Sequence, residues 1–213
     1  MIKRLIFDVD STLIVGVNFL PFIEKTLKRY DLLTQKNIEG IFTMIATYES
    51  EYSSYTRENY LTHLNKCLGF EVEETWLDAF FEELKNCVPS KNQRLIDAID
   101  GLSEHYEMVL LTNFFGQSQM NRLNTMGIGK YFSEYFGEEL IKPNREIYLK
   151  AYGAHLPEEC VMIGDDIDLD IKGASRCGLK TIFVNTKKVP TEGLDCAVVD
   201  KVEDIDCDLI ESL

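Results

Sequence analysis

Two aspartates stand two positions apart close to the start of the chain. Asp8 and Asp10 follow Ile2–Phe7, a short run rich in Ile, Leu and Phe. Such a run is typical of a strand that is covered on both faces. Alternate residues of an extended chain point to the same side, so both carboxylates can face one cavity. Because an Asp-x-Asp pair alone is also common in turns, its chemistry depends on what the rest of the chain adds.

A second group of carboxylates follows a later apolar run. Val161–Ile163 leads into Asp165 and Asp166, with Asp170 close behind. Ligands of open parallel sheets bind beyond the carboxyl ends of the strands, so these groups are expected to share a cleft with the first pair. Carboxylates that lie close together repel one another unless a metal cation, a lysine or a bound proton reduces the repulsion. Oxygen donors without His or Cys favour Mg²⁺ over zinc, and Lys142 is the candidate lysine.

Apolar runs and helical periodicity predict the elements that position these groups. Buried strands are predicted at Ile2–Phe7, Met108–Leu111, Val161–Ile163 and Thr181–Val184. Helices are predicted at Gln119–Met126 and Leu169–Cys177, each followed by a capping glycine, and a third opens at Pro143. Strands separated by helices predict an α/β fold with a parallel, doubly wound sheet.

A long segment after the first strand does not fit this alternation. Apolar and aromatic residues recur there at helical spacing, for instance at Ile38, Ile41 and Ile45 and again at Tyr60, Leu64 and Leu68. We interpret residues 15–88 as a small helical bundle inserted into the sheet domain. The predicted core domain is therefore formed by residues 1–14 and 89–213.

Charge and composition restrict the possible partners. With 22 Lys and Arg against 36 Asp and Glu, the formal net charge is -14. This balance disfavours nucleic acid and anionic membranes as partners. The six cysteines are scattered without a Cys-x-x-Cys motif, which indicates reduced packing residues. The first residues lack a secretory pattern, so we expect a cytoplasmic protein; its oligomeric state is left open.

Four short motifs occur in an order that resembles the haloacid dehalogenase-like (HAD) superfamily of hydrolases. They are Phe7–Leu13, similar to hhhDxDGT; Leu110–Asn113; Lys142–Asn144; and Val161–Asp170, similar to GDxxxxD. Ser11 stands where the family usually has glycine. The resemblance implies a Rossmann-like HAD core, and the helical insertion resembles the cap of the subgroup that carries it after the first motif.

The resemblance also implies a catalytic mechanism. Asp8 is expected to attack the phosphorus and form an aspartyl-phosphate, while Asp10 is expected to protonate the leaving group and then to activate water. Mg²⁺ is expected to be held by Asp8, by the backbone carbonyl of Asp10 and by Asp165.

Further residues receive supporting roles from the same resemblance. Thr112, Asn113 and Lys142 are expected to bind the phosphate, with Lys142 also balancing the charge of the nucleophile. Asp166 and Asp170 are expected to orient Lys142 or the water ligands of the metal.

The function that follows is hydrolysis of a small phosphomonoester, such as a nucleotide or a sugar phosphate. Specificity is expected in the cap, where Arg57, Tyr52 and Tyr55 are candidates for contact with the leaving group. A phosphomutase similar to β-phosphoglucomutase is an alternative. A metal-independent haloacid dehalogenase and a non-catalytic binding protein are two others. Asp10 and the carboxylates around Asp165 argue against the first, and the second is disfavoured by the intact set of Asp8, Asp10, Thr112, Lys142 and Asp165.

Overall fold

A computed structural model describes all 213 residues. Its centre is one sheet of six parallel strands in the order β3-β2-β1-β4-β5-β6. The strands are β1 Arg4–Phe7, β2 Glu107–Leu111, β3 Glu134–Phe136, β4 Cys160–Gly164, β5 Lys180–Val184 and β6 Ala197–Val199. The order changes direction at β1, so the crevice of a doubly wound sheet lies beyond β1 and its neighbours.

Helices cover both faces of this sheet. They are α5 Gln93–Ser103, α6 Gly116–Met126, α7 Arg145–Tyr152, α8 Gly173–Ser175 and α9 Cys207–Glu211, with a π-helical turn, Ile167–Lys172, running into α8. Successive residues of β1 belong to different hydrophobic clusters, because Leu5 and Phe7 face α5 and α6 whereas Ile6 faces α7. The predicted α/β fold with a doubly wound parallel sheet is confirmed.

The predicted strands all exist, and the differences lie at their ends and at the edges of the sheet. The first strand begins at Arg4 rather than Ile2. The edge strands β3 and β6 are not among the predicted elements, because each has only three residues and is partly exposed. The prediction that Pro143 opens a helix is wrong: α7 begins at Arg145, and the side chain of Asn144 caps it by accepting from Glu146.

Four helices fill the long segment between β1 and α5. They are α1 Leu20–Arg29, α2 Gln35–Glu51, α3 Arg57–Leu68 and α4 Glu74–Leu84, and we call them the insertion helices. They enclose a hydrophobic cluster of their own, in which Phe115 is the one buried member from outside the segment. Two backbone bonds join them to the sheet domain: Tyr55 N donates to Glu138 O at 2.7 Å, and Ile141 N donates to Ser53 O at 3.2 Å. The domain boundaries at residues 15 and 88 stay a prediction.

No helix is both long enough and apolar enough to cross a membrane.

Candidate active site

The ends of β1 and β4 bring the two groups of carboxylates together. These strands are neighbours with Phe7 opposite Ile163, so the residues that follow them leave the sheet side by side. Ligand-capable oxygens of Asp8, Asp165 and Asp170 all lie within 4.8 Å of one another. The cleft therefore forms at the switch point where ligands of this kind of sheet bind.

Lys142 is the cation at the centre of this cluster. Its Nζ is buried and donates to Asp8 Oδ1 and to Asp170 Oδ1, each at 2.7 Å. The second oxygen of Asp8 accepts from Thr12 Oγ1 at 2.9 Å, so both oxygens of this carboxylate are oriented. Asn113 holds the lysine backbone, because its Oδ1 accepts from Lys142 N at 2.7 Å and its Nδ2 donates to Lys142 O at 3.2 Å.

Two backbone positions allow the carboxylates to approach so closely. Ser11 has a φ of 66°, the left-handed conformation that glycine adopts without strain, and its N donates to Ile14 O at 2.9 Å. Gly164 leaves space for Asp170, since a Cβ on this glycine would lie 2.2 Å from the carboxylate oxygen Oδ2. Any side chain at residue 164 would displace the aspartate that binds Lys142.

The carboxylates of this site are buried and close together, so positive charge stabilises them. Burial is the largest influence on Asp8 and raises its pKa to about 7; Lys142 lowers it, and Asp170 and Asp10 raise it further. Burial also raises the pKa of Asp165 and of Asp170. Burial lowers the pKa of Lys142, but its two carboxylate partners raise it by more, so the lysine stays charged. Lys142 and the largely exposed Lys187 are two lysines against three carboxylates, which leaves net negative charge in a region that water reaches poorly.

The donor set fits Mg²⁺. All the candidate ligands are carboxylate or carbonyl oxygens, which this cation prefers, and no His or Cys is among them. Asp165 Oδ2 accepts from Lys187 Nζ at 2.7 Å, a contact with a largely exposed lysine that a bound cation can replace. Asp166 points elsewhere: its Oδ1 caps the π-helical turn by accepting from Asp168 N and Leu169 N.

Asp10 lies in a polar network that the sequence analysis missed. Its Oδ1 accepts from Arg122 Nη1 at 2.7 Å, and its Oδ2 accepts from Gln119 Nε2 at 2.6 Å. Gln119 Nε2 also donates to Thr112 Oγ1 at 3.2 Å, which leaves the hydroxyl proton of this threonine available to a phosphate. The available signal was the spacing of Gln119 and Arg122, which places both on one face of the predicted helix.

A cavity of about 280 Å³ lies between this network and the insertion helices. Most of its lining is apolar or aromatic: Phe19, Phe22, Ile45, Tyr48, Tyr55, Tyr60, Phe80, Leu84 and Phe114. Its polar lining is Asp10, Asn113, Arg122 and Glu49. Glu49 comes from α2 and bridges to the sheet domain, since its Oε2 accepts from Asn113 Nδ2 at 2.9 Å.

Arg57 does not line this cavity. Its Nε donates to Glu74 and its Nη2 donates to Asp78, each at 2.8 Å, so the guanidinium is engaged among the insertion helices. Tyr55 does line the cavity, and its hydroxyl donates to Glu49 Oε1 at 2.9 Å. Contact of Arg57 with a substrate stays a prediction.

The raised pKa of Asp8 predicts that Mg²⁺ binding strengthens with pH. Asp8 must lose its proton before it binds a cation, and its pKa is about 7. Between about pH 5.5 and about pH 8 the Mg²⁺ affinity should therefore rise about thirtyfold. In the metal-free protein, the stability that protonated Asp8 contributes is present at low pH and is lost as the pH rises through about 7. Calorimetric titration with MgCl₂ measures the affinity, and an affinity that is independent of pH contradicts the prediction.

Comparisons with known proteins agree with this geometry. Residues 140–204 match the family model described as HAD-hydrolase-like. The glyceraldehyde 3-phosphate phosphatase of Methanothermobacter thermautotrophicus is 27% identical over 233 aligned positions, which cover 96% of this chain and 98% of that protein. The pyrimidine 5'-nucleotidase PynA of Streptococcus pneumoniae is 32% identical over 96 positions, covering 42% of this chain and 40% of that protein.

A solved structure shares the whole fold. It is the putative HAD-hydrolase YfnB of Bacillus subtilis, described as bound to magnesium; it superposes with a TM-score of 0.71 at 22% identity and covers 95% of this chain and 96% of that one. The chain is similar to HAD-like hydrolases, by the family model over residues 140–204 and by relatives over nearly its whole length. These likenesses indicate an enzyme of the phosphatase type.

Proposed function

We propose that the protein is a Mg²⁺-dependent phosphatase that hydrolyses a small phosphomonoester through an aspartyl-phosphate. The observation that carries the proposal is the buried carboxylate of Asp8, oriented by Lys142 and Thr12 and lying beside Asp165. A second acid, Asp10, stands two residues away at the edge of the cavity. A nucleophile and a separate proton donor are what phosphoryl transfer to a carboxylate requires.

The first step transfers the phosphoryl group to the enzyme. A carboxylate oxygen of Asp8 bonds to phosphorus, the bond between phosphorus and the ester oxygen breaks, and Asp10 gives its proton to the departing oxygen. Lys142 and the hydroxyl of Thr112 offset charge on the phosphoryl oxygens. Asp8, the backbone carbonyl of Asp10 and Asp165 would hold Mg²⁺, which would supply further positive charge there.

The second step releases phosphate. Asp10, now ionised, takes a proton from a water molecule as the water oxygen bonds to phosphorus. The bond between phosphorus and Asp8 breaks, which restores the free carboxylate and frees inorganic phosphate. Asp10 is protonated again and ready for the next ester.

The aromatic cavity supports a nucleotide over a sugar phosphate as the substrate. The aromatic side chains that line the cavity, among them Phe19, Tyr55 and Phe114, suit an apolar planar ring, whereas a polyol would lose hydrogen bonds to water against them. The likeness to a pyrimidine nucleotidase and to a triose-phosphate phosphatase supports a small substrate in both cases. We further propose that the partner is a cytoplasmic phosphorylated metabolite and neither nucleic acid nor membrane.

Two alternatives use the same scaffold. A phosphomutase would share the aspartyl-phosphate and would return the phosphoryl group to a second hydroxyl instead of to water. A haloacid dehalogenase needs neither a metal nor a second carboxylate, so the buried network around Asp10 and the cluster at Asp165 argue against it.

A phosphate-release assay of the purified protein tests the proposal. Nucleoside monophosphates, sugar phosphates and triose phosphates are compared with Mg²⁺, after EDTA treatment, and after Mg²⁺ is restored. We expect release only with the metal, fastest with a nucleoside monophosphate, because the carboxylate cluster repels the anionic ester unless a cation is bound. Release that is unchanged by EDTA contradicts metal dependence, and metal-independent release of halide from a haloacid supports the dehalogenase.

A further inference from the structure

Arg122 is a buried cation whose carboxylate partner is Asp10. Its side chain is 1% exposed, and its Nη1 donates to Asp10 Oδ1 at 2.7 Å. A guanidinium removed from water this completely is costly unless its donors are satisfied and its charge is paired. A lysine on α6 would keep the charge but would lack the planar guanidinium fork, whose donors reach Asp10, Gln119 and the Cys87 carbonyl at the same time.

Gln119 completes the arrangement one turn earlier on α6. Its Nε2 donates to Asp10 Oδ2 at 2.6 Å, and its Oε1 accepts from Arg122 Nη1 at 2.9 Å. Each oxygen of Asp10 therefore has its own donor, and the two donors are bonded to each other. Because Gln119 and Arg122 are buried, these hydrogen bonds fix the orientation of the partly exposed Asp10 carboxylate.

The remaining donors of Arg122 reach the segment that leads out of the insertion helices. Its Nε and Nη2 both donate to the carbonyl oxygen of Cys87, at 3.2 and 2.9 Å. Cys87 Sγ in turn lies 3.8 Å from the carbonyl oxygen of Asn18, on the segment that leads into those helices. One side chain thus contacts both the acid and the point where the two connecting segments meet.

We propose that Arg122, together with Gln119, is a positioning residue that orients the Asp10 carboxyl toward the leaving oxygen. Through its contact with Cys87, Arg122 also links this orientation to the two segments that connect the insertion helices to the sheet domain. The inference rests on the proposed function, in which Asp10 gives a proton to the ester oxygen and later takes one from water. Arg122 keeps its own proton throughout and touches no reacting atom. The exposed part of Asp10, 45% of its side chain, faces the cavity and is free to meet the substrate.

Two esters of similar size separate this role from a structural one. Benzyl phosphate releases an alkoxide that needs a proton, whereas p-nitrophenyl phosphate releases a stabilised phenolate that leaves without one. Positioned acid catalysis contributes about 10²–10⁴ in rate. In Arg122→Met we therefore expect kcat/KM to fall about a hundredfold for benzyl phosphate and less than about threefold for p-nitrophenyl phosphate.

Matched variants guard against a general loss of structure. Arg122→Lys keeps the buried charge but loses the fork, so it should fold and show the same selective loss, only smaller. Gln119→Leu removes the donor to the other oxygen of Asp10, so it should also fold and show a selective loss with benzyl phosphate. Arg94→Met removes an exposed arginine from α5 and should leave both esters unaffected.

Removing Asp10 supplies the decisive comparison. In an Asp10→Asn background, Arg122→Met should cause no further loss with benzyl phosphate, because the arginine acts through that carboxyl. A loss of equal size for both esters, or a full additional loss in the Asp10→Asn background, overturns the inference. A wild-type protein that cleaves neither ester, nor any of the phosphomonoesters compared above, in the presence of Mg²⁺ overturns the phosphatase function itself.

Discussion

Asp8→Asn should abolish turnover while leaving the fold intact. Asparagine keeps the shape of the side chain but cannot form an acyl phosphate, so we expect phosphate release to fall by more than about 10³-fold. Lys142 keeps Asp170 as a partner at 2.7 Å, and removal of one buried carboxylate relieves repulsion within the cluster. We therefore expect the free energy of unfolding to change by less than about 1.5 kcal/mol.

Phosphate release with a saturating ester and Mg²⁺ measures the loss, and urea unfolding measures the stability. Asp168→Asn is the matched control, because Asp168 is exposed and its carboxylate pairs only with Lys172. The control should keep full activity. Substantial turnover by a folded Asp8→Asn protein contradicts the assignment of the nucleophile, whatever the substrate.

Lys142→Met should cost both activity and stability. The substitution leaves Asp8 and Asp170 buried without their shared cation, and loss of one partner from a buried ion pair destabilises a protein by about 3–5 kcal/mol. The cost should be largest at neutral and higher pH. At low pH the carboxyls bind protons instead, because their pKa values rise further once the lysine is removed.

Urea unfolding at about pH 5 and about pH 8 measures this dependence. Lys172→Met is the matched control: it removes an exposed lysine paired four residues away with Asp168, and such pairs contribute about 0.5 kcal/mol or less. Adding Asp170→Asn to Lys142→Met should recover part of the stability and none of the activity. A loss below about 1 kcal/mol at both pH values contradicts the charge-balancing role of Lys142.

The neighbouring positions of Asp8 and Asp165 could be predicted because they depend on local rules. Each aspartate follows an apolar run, and parallel strands end at one edge of the sheet. The pattern did not reveal the edge strands β3 and β6, since a run of three residues is too short to establish a strand pattern. The start of α7 was also misplaced, because the capping side chain of Asn144 rather than Pro143 decides where that helix begins.

The partners of Asp10 could not be predicted in the same way. Arg122 lies 112 positions further along the chain. Its spacing from Gln119 places both on one helix face but does not show what that face contacts. Only the packing of α6 against the segment after α4 buries it beside Asp10 and Cys87. Similarly, the residue type of Arg57 suggested contact with a substrate. The packing of α3 against α4 instead places its guanidinium between Glu74 and Asp78.

The sequence by itself determined the set of residues on which the proposed chemistry rests: a strand-end aspartate with a second acid two residues on, and Thr112, Lys142 and Asp165 following in order. These features are encoded by residue type and by spacing within single elements. Only the tertiary structure decided what surrounds the acid Asp10 and what the cavity can accept. Both depend on contacts between the insertion helices and the sheet domain, whose geometry is set by the packing of side chains far apart in sequence.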